Sequence, residues 1–486
     1  MYSVETIYSL VSSMTKSEKR YFRMISDLQK GDKDYLVLFN ALEAAETFTP
    51  VVHEKLKSTF LGGSIEPTRK HLYKVLMKSL RQFESDKNFE GKVINLIQDS
   101  RILYNKGMVK LSLEQLEKAK LLALEGQKFI YYVLAARQEL EFLVRVQFTG
   151  ITEYELIKKQ KKISELLSHE SKITQHSMLY EVLLMRYWKN GLVRSQEDVT
   201  QLNDLLLQEY NLLNDPGYAS FESDRLHLHF QSIYFQMTGN PEGSLDVYYD
   251  LNSLFEQHDY LWRDTPLYYF QLLDGILYDL RWMERYSDME FFLGRMRVIS
   301  PGSEGLAAII RFRILEYRLN VFVDQDNLTD AQQLLSNNIQ SIKKEATQLP
   351  LQINAQLMFS IARVYFRVGN YSAALKLINE VLNRPASSMN HSLHVVFHLM
   401  NLQVNASMKN RDYLFYAIRS VQRKLKNERN LYGVEQLVLL FLKQWMAFKP
   451  VKGYVEKLKA LSENPYEGLL IKELCLPVWF RQVASQ

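Results

Sequence analysis

The chain has 486 residues, 47% of them hydrophobic, and carries 60 basic against 55 acidic side chains for a formal net charge of +5. That balance argues against a dedicated nucleic-acid coat protein while leaving room for a local basic face. The single cysteine, Cys475, can form neither an internal disulfide nor a cysteine-based zinc site.

No stretch approaches the roughly 18 uninterrupted apolar residues of a membrane span. The N-terminal stretch carries Glu5 and no basic run ahead of its apolar part, so it does not read as a signal peptide. A soluble, cytoplasmic protein with no membrane contact is expected. The chain holds only 19 Gly and 11 Pro, with no linker rich in Gly, Ser or Pro, which favours one continuous helical body.

Residues 1–88 read as a small N-terminal helical domain or capping unit. Thr15-Lys16-Ser17-Glu18 is a capping box that opens one helix, and Thr49-Pro50 and Glu66-Pro67 open two more. Over residues 68–83, Lys70, Lys74 and Lys78 recur every fourth position with Arg81 just beyond, opposite an apolar side of Leu72, Val75, Leu76, Leu80 and Phe83. Such a stripe can contact phosphates, so nucleic acid is a conceivable partner through residues 1–88 alone. A solvated face is the plainer reading, because no polar recognition pattern accompanies it. The Lys158-Lys159-Gln160-Lys161-Lys162 cluster reads the same way.

From residue 89 onward the apolar residues keep three- and four-residue spacing, as in 113–124 (Leu113, Leu116, Leu124) and 372–382 (Leu375, Ile378, Val381, Leu382). Convincing period-2 strands are absent. Asp264-Thr265-Pro266 opens a helix, and Asp215-Pro216-Gly217, Ser300-Pro301-Gly302 and Asn383-Arg384-Pro385 are breaks. Turns between long apolar helices fall at Gly107, Gly150, Gly191, Gly239, Glu284, Asp326, Gly369, Arg411 and Gly453. Their spacing of about 43 residues is the mark of a helical-repeat array. Each repeat then holds two helices that cannot bury their apolar stripes alone and do so by stacking.

Residues 355–385 resemble a tetratricopeptide (TPR) motif: Tyr365, Gly369, Tyr371, Ala374 and Pro385 stand near its signature aromatic, glycine, turn aromatic, small residue and proline. Residues 225–255 repeat this more loosely with Phe235, Gly239, Ser244, Tyr248 and Leu251, as do 93–119 with Leu103, Gly107, Ser112, Leu116 and Ala119. The period exceeds the usual TPR length of about 34 and also suits HEAT-type repeats. The resemblance implies an all-α, TPR-like α-α superhelix of about nine hairpins over residues 89–486, ending in a capping helix near 465–483.

It also implies a non-enzymatic protein- or peptide-binding scaffold, with A-helix residues just before each turn facing an inner groove. On this sequence those are Arg101, Tyr104 and Asn105; Trp188 and Lys189; Gln236; Arg281 and Trp282; and Arg363, Phe366 and Arg367. Arginine beside aromatics suits a peptide hot spot, and the cationic excess favours an acidic partner segment. One turn earlier the bias weakens, at Glu181, Asp274 and Glu316.

A peptide-responsive transcriptional regulator with a helix-turn-helix-like N-terminal domain is the alternative. Phosphate-binding loops, dinucleotide fingerprints, nucleophile elbows and zinc-protease motifs are all missing from the sequence, and no cofactor or metal is expected. His391, His394 and His398 read as ordinary surface or inter-helix histidines.

Overall fold

The computed structural model describes residues 3–28, 34–45, 48–59, 65–213, 220–385, 388–428, 432–449, 451 and 453–484. The break expected at Asp215-Pro216-Gly217 lies outside them. The described residues form α-helices and one short 3₁₀ turn, without a strand. Among them, no helix is long and apolar enough to cross a membrane.

The chain divides into two compact units. The first comprises Met1–Lys172, His258–Pro266 and Pro301–Ala307; the second comprises Ile173–Gln257, Leu267–Ser300 and Ala308–Gln486.

In the first unit, the helices Val4–Ser13, Lys16–Leu28, Asp34–Ala44 and Ile65–Glu84 bury one cluster that includes Ile7, Phe22, Leu38, Phe39, Leu72 and Leu76. The box at Thr15 is reciprocal. The Thr15 N–H donates to Glu18 Oε2 at 2.6 Å, and the Glu18 N–H donates to Thr15 Oγ1 at 3.2 Å, so two otherwise orphaned amides are satisfied at the helix start. A separate cluster of Val93, Ile97, Leu116, Ala119 and Phe142 joins Phe89–Asn105, Val109–Glu125 and Phe129–Arg145.

Phe89–Asn105 pairs with Val109–Glu125, Phe221–Met237 with Pro241–Gln257 and Leu351–Arg367 with Tyr371–Leu382 as hairpins, and the pairing depends on small residues at the crossing. In the first unit Ser112 donates to the Ser100 carbonyl at 2.8 Å. In the second, Ser244 lies 3.0 Å from the Ser232 carbonyl, and Ala362 and Ala374, at the same chain separation, are both fully buried. A larger side chain at any of these positions would hold the two backbones apart.

The turns share one backbone device. Gly107, Gly239 and Gly369 have φ of 79°, 74° and 81°, and Glu284, Asp326 and Lys409 have 61°, 61° and 59°. In each of these six turns the following amide donates to the carbonyl five residues back, at 2.8–2.9 Å, closing the helix C-terminus in a Schellman-type cap. Glycine adopts this left-handed conformation freely; the other three do so at a cost of about 1–2 kcal/mol each.

The second unit holds the largest core, running from Phe312 to Val483 and including both C-terminal helices. Trp479 and Phe480 on Leu476–Ala484 are buried against Phe441, with ring centroids 5.3 and 4.3 Å away. Burial of this kind contributes roughly 1.5–3 kcal/mol per large side chain, so the terminal helices belong to this unit's core.

Candidate binding pocket

Within the second unit, polar side chains link equivalent faces of successive helices at a fixed chain separation. Gln236 Nε2 donates to Asp279 Oδ1 at 2.9 Å, Arg281 Nε to Asp324 Oδ2 at 2.8 Å and Tyr317 Oη to Asp274 Oδ1 at 2.9 Å. Arg313 Nη1 donates to Gln356 Oε1 at 3.1 Å and Arg363 Nη1 to Asn320 Oδ1 at 2.7 Å. Every one of these pairs is 43 residues apart. One helix face therefore meets the next in constant register through Pro266–Trp282, Glu304–Asp324 and Leu351–Arg367.

The arginines of this ladder are neutralised from within the chain. Asp324 sits between Arg281 and Arg363, 2.8 Å from each. Glu473, from the helix Pro465–Glu473, pairs with Arg281 at 2.6 Å and with Arg363 at 3.4 Å. Arg363 also reaches the Lys472 carbonyl at 3.3 Å. Arg313 is held by Asp274 at 2.6 Å and Glu316 at 2.9 Å, and Arg194 by Glu435 and Glu467. Burial on its own would raise the Asp324 carboxyl, but Arg363 and Arg281 overcome that and hold it at about 2. Glu473 follows the same logic: burial opposes its charge, and Arg281 and Arg363 bring its pKa below the ordinary carboxylate value.

Asp279 runs the other way. It is fully buried, and burial raises its pKa to about 7 against the weaker opposing bonds from Ser244 and Gln236. Ser244 Oγ lies 3.0 Å from the Ser232 carbonyl and 2.6 Å from Asp279 Oδ2. A hydroxyl has one hydrogen. If it goes to the carbonyl, the short contact to Asp279 requires the proton on Asp279.

Beside the ladder lies a cavity of about 190 Å³, lined by Tyr187, Tyr278, Tyr317, Asn320, Gln352 and Gln356 together with Arg194, Arg281, Arg313, Leu393, Val396, Leu470 and Glu473. Aromatic and aliphatic walls with a few convergent polar groups are the usual make-up of a ligand site. Among the described residues, no group of three or more His, Cys, Asp or Glu is arranged to hold a metal ion. His394 and His398 meet Nε2 to Nε2 at 3.2 Å, and burial with the neighbouring His394 lowers His398 to about 4.

Comparison of the chain with protein-family models, with curated proteins and with solved structures finds no match.

The residues read from the sequence as groove-facing fall in both units and in different surroundings. In the first, Arg101 is exposed and donates to Gln138 at 2.6 Å, Asn105 is exposed at a helix end, and Tyr104 stacks on Phe142 at 3.9 Å, a packing role. In the second, Trp188 (47% exposed) and Lys189 are open to solvent, and Gln236 is bonded to Asp279. Trp282 meets Tyr278 edge-on at 5.9 Å, Phe366 is core, and Arg367 pairs with Asp326 at 2.6 Å. Arg281 and Arg363 are the two buried in the ion cluster; of the whole set, only Arg281 lines the cavity. Lys70, Lys74, Lys78 and Arg81 all lie exposed on Ile65–Glu84.

Sequence reading did not single out Tyr187, Tyr278, Tyr317, Asn320, Gln352 or Gln356. A usable signal exists: pairing each polar residue with the one 43 positions on brings Asp274 to Tyr317, Arg313 to Gln356 and Asn320 to Arg363.

Proposed function

We propose that this chain is a non-enzymatic helical-repeat protein of TPR-like character that binds a protein or peptide partner, with its principal site in the cavity of the second unit. The observation that carries this reading is the ladder of five bonds at one 43-residue separation, running beside that cavity. A repeated, internally bonded wall is preorganised, so the partner carries most of the ordering cost on association.

The test is a peptide-display selection on the immobilised full chain, repeated on a Trp188→Ala/Lys189→Ala variant and on a cavity variant, Tyr187→Phe/Tyr278→Phe. Both variants leave the buried ion cluster intact. Enrichment of a common peptide pattern on the wild type, reduced on at least one variant, is the expected outcome. A selection that converges on nothing counts against the reading.

A further inference from the structure

The polar lining of the second unit's cavity has a one-sided hydrogen-bonding character. Gln356 Oε1 accepts from Arg313, Gln352 Oε1 from the Asn390 amide at 2.9 Å, and Asn320 Oδ1 from Arg363. Each of these side-chain amides has its oxygen pinned by an N–H donor, which fixes its orientation and turns its NH₂ group elsewhere. Among the described residues none of the three NH₂ groups has a partner, although Asn320 is 4% exposed. The Tyr187 and Tyr278 hydroxyls, which line the same cavity, likewise have no hydrogen bond among the described residues. Five groups able to donate thus belong to residues that line one space and lack a partner among the described residues, where buried polar groups ordinarily find one.

The guanidinium groups around that space already have carboxylate partners. The arginines Arg194, Arg281, Arg313 and Arg363 are held by six carboxylates, Glu435, Glu467, Asp324, Glu473, Asp274 and Glu316. An anionic ligand would compete with those carboxylates for the same guanidinium groups and meet their repulsion. A cationic group would have no lone pair with which to accept from the unpartnered N–H groups. Leu393, Val396 and Leu470 give the cavity an apolar wall. At about 190 Å³ the cavity has room for on the order of ten waters, or for one compact ligand in their place.

We infer that the cavity receives a short uncharged peptide segment, whose backbone carbonyls accept from Tyr187, Tyr278, Asn320, Gln352 and Gln356 and whose aliphatic side chain packs on the apolar wall. This rests on the peptide-binding reading above and narrows it: the partner segment is neutral, where the cation count of the sequence pointed to an acidic one.

The experiment uses saturation-transfer NMR and calorimetry on the full chain with three probes: N-acetyl-Leu-Gly-Leu-amide, the acidic N-acetyl-Glu-Leu-Glu, and free leucine. The double variant Tyr187→Phe/Tyr278→Phe removes two hydroxyls that bond to nothing among the described residues, so its thermal unfolding is expected to match the wild type. The neutral blocked peptide is expected to bind the wild type and to bind this variant on the order of tenfold more weakly. Binding of the acidic peptide alone, or binding of the neutral peptide that the variant does not weaken, overturns the inference and leaves the peptide-binding reading standing. If neither peptide binds and the display selection also fails, both fall. Should the variant prove destabilised, Gln352→Leu, which leaves the ion cluster and both phenols in place, is required to show the same weakening.

Discussion

The two units treat buried charge differently. In the first, Lys120 is 5% exposed and is held by Glu117 and Glu139, each at 2.6 Å, with Lys159 sharing Glu139 at 2.8 Å. Its acids come from the same helix and the next one, a local arrangement with one partner to spare. In the second, Arg281 and Arg363 share Asp324 and draw Glu473 from more than a hundred positions further along the chain. The first pattern makes one hairpin more rigid. The second makes the C-terminal helices a condition of the unit's stability, because without Glu473 two buried guanidinium groups would share a single carboxylate. The difference teaches that an arginine at a groove-facing repeat position is a binding residue only while nothing in its own chain covers it.

The largest expected effect tests that dependence directly. Asp324→Ala leaves two buried guanidinium groups sharing the Glu473 carboxylate, and a loss of about 3–5 kcal/mol is expected from urea unfolding. The effect has a pH signature. The folded-state pKa of Asp324 is lowered, to about 2, so its stabilising contribution is present above the unfolded-state value near 4 and disappears as pH falls toward 2. The variant is expected to lack that acid limb. A variant as stable as the wild type would show that the ion cluster is incidental to the core.

Asp279→Asn sharpens the contrast, since here removing a carboxylate stabilises. The folded-state pKa of Asp279 is raised, to about 7. Below the unfolded value both states hold the proton and nothing is lost. As pH rises from about 4 to 7, the unfolded state ionises while the folded state resists, and stability declines by at most about 4 kcal/mol. The substitution is expected to remove that decline and to gain about 1–3 kcal/mol at pH 7.5, read from urea midpoints at pH 5 and 7.5. An unchanged pH slope would mean that Asp279 is ionised in the fold.

Glu139→Ala probes the first unit's arrangement. Lys120 keeps Glu117, so the expected cost is only about 1–2 kcal/mol. A loss as large as that of Asp324→Ala would erase the distinction between the two units.

The all-helical character was legible because apolar spacing at three and four residues records burial directly, as in Leu375, Ile378 and Val381. So were the turns: Gly107, Gly239 and Gly369 mark places where a left-handed residue closes a helix. Glu284 and Asp326 adopt the same conformation without a glycine to announce it, and only their place in the period pointed to them; Lys409 does so two residues ahead of the expected landmark, Arg411. The pocket was not legible. A periodic reading assigns Arg281 and Arg363 by their position within one repeat, whereas their surroundings depend on Glu473, from a helix outside the period. The donors that define the cavity were hidden for a related reason. An amide such as Gln356 becomes informative only once Arg313 is known to occupy its oxygen.

The smallest expected effect concerns the basic stripe of the first unit. Replacing Lys70, Lys74, Lys78 and Arg81 with Gln removes four exposed charges from one helix while leaving Leu72, Val75 and Leu76 in the core. Exposed positions of this kind contribute within about 0.5 kcal/mol each, so unfolding should barely move. If the stripe only solvates its helix, the full chain should give no DNA gel shift at low salt, and the quadruple variant should behave identically. If instead the wild type retards DNA, the slope of log K against log salt should fall by about 0.9 for each phosphate contact that the substitutions remove. The first unit would then be the one that keeps its cations for a partner, and the second the one that consumes its own.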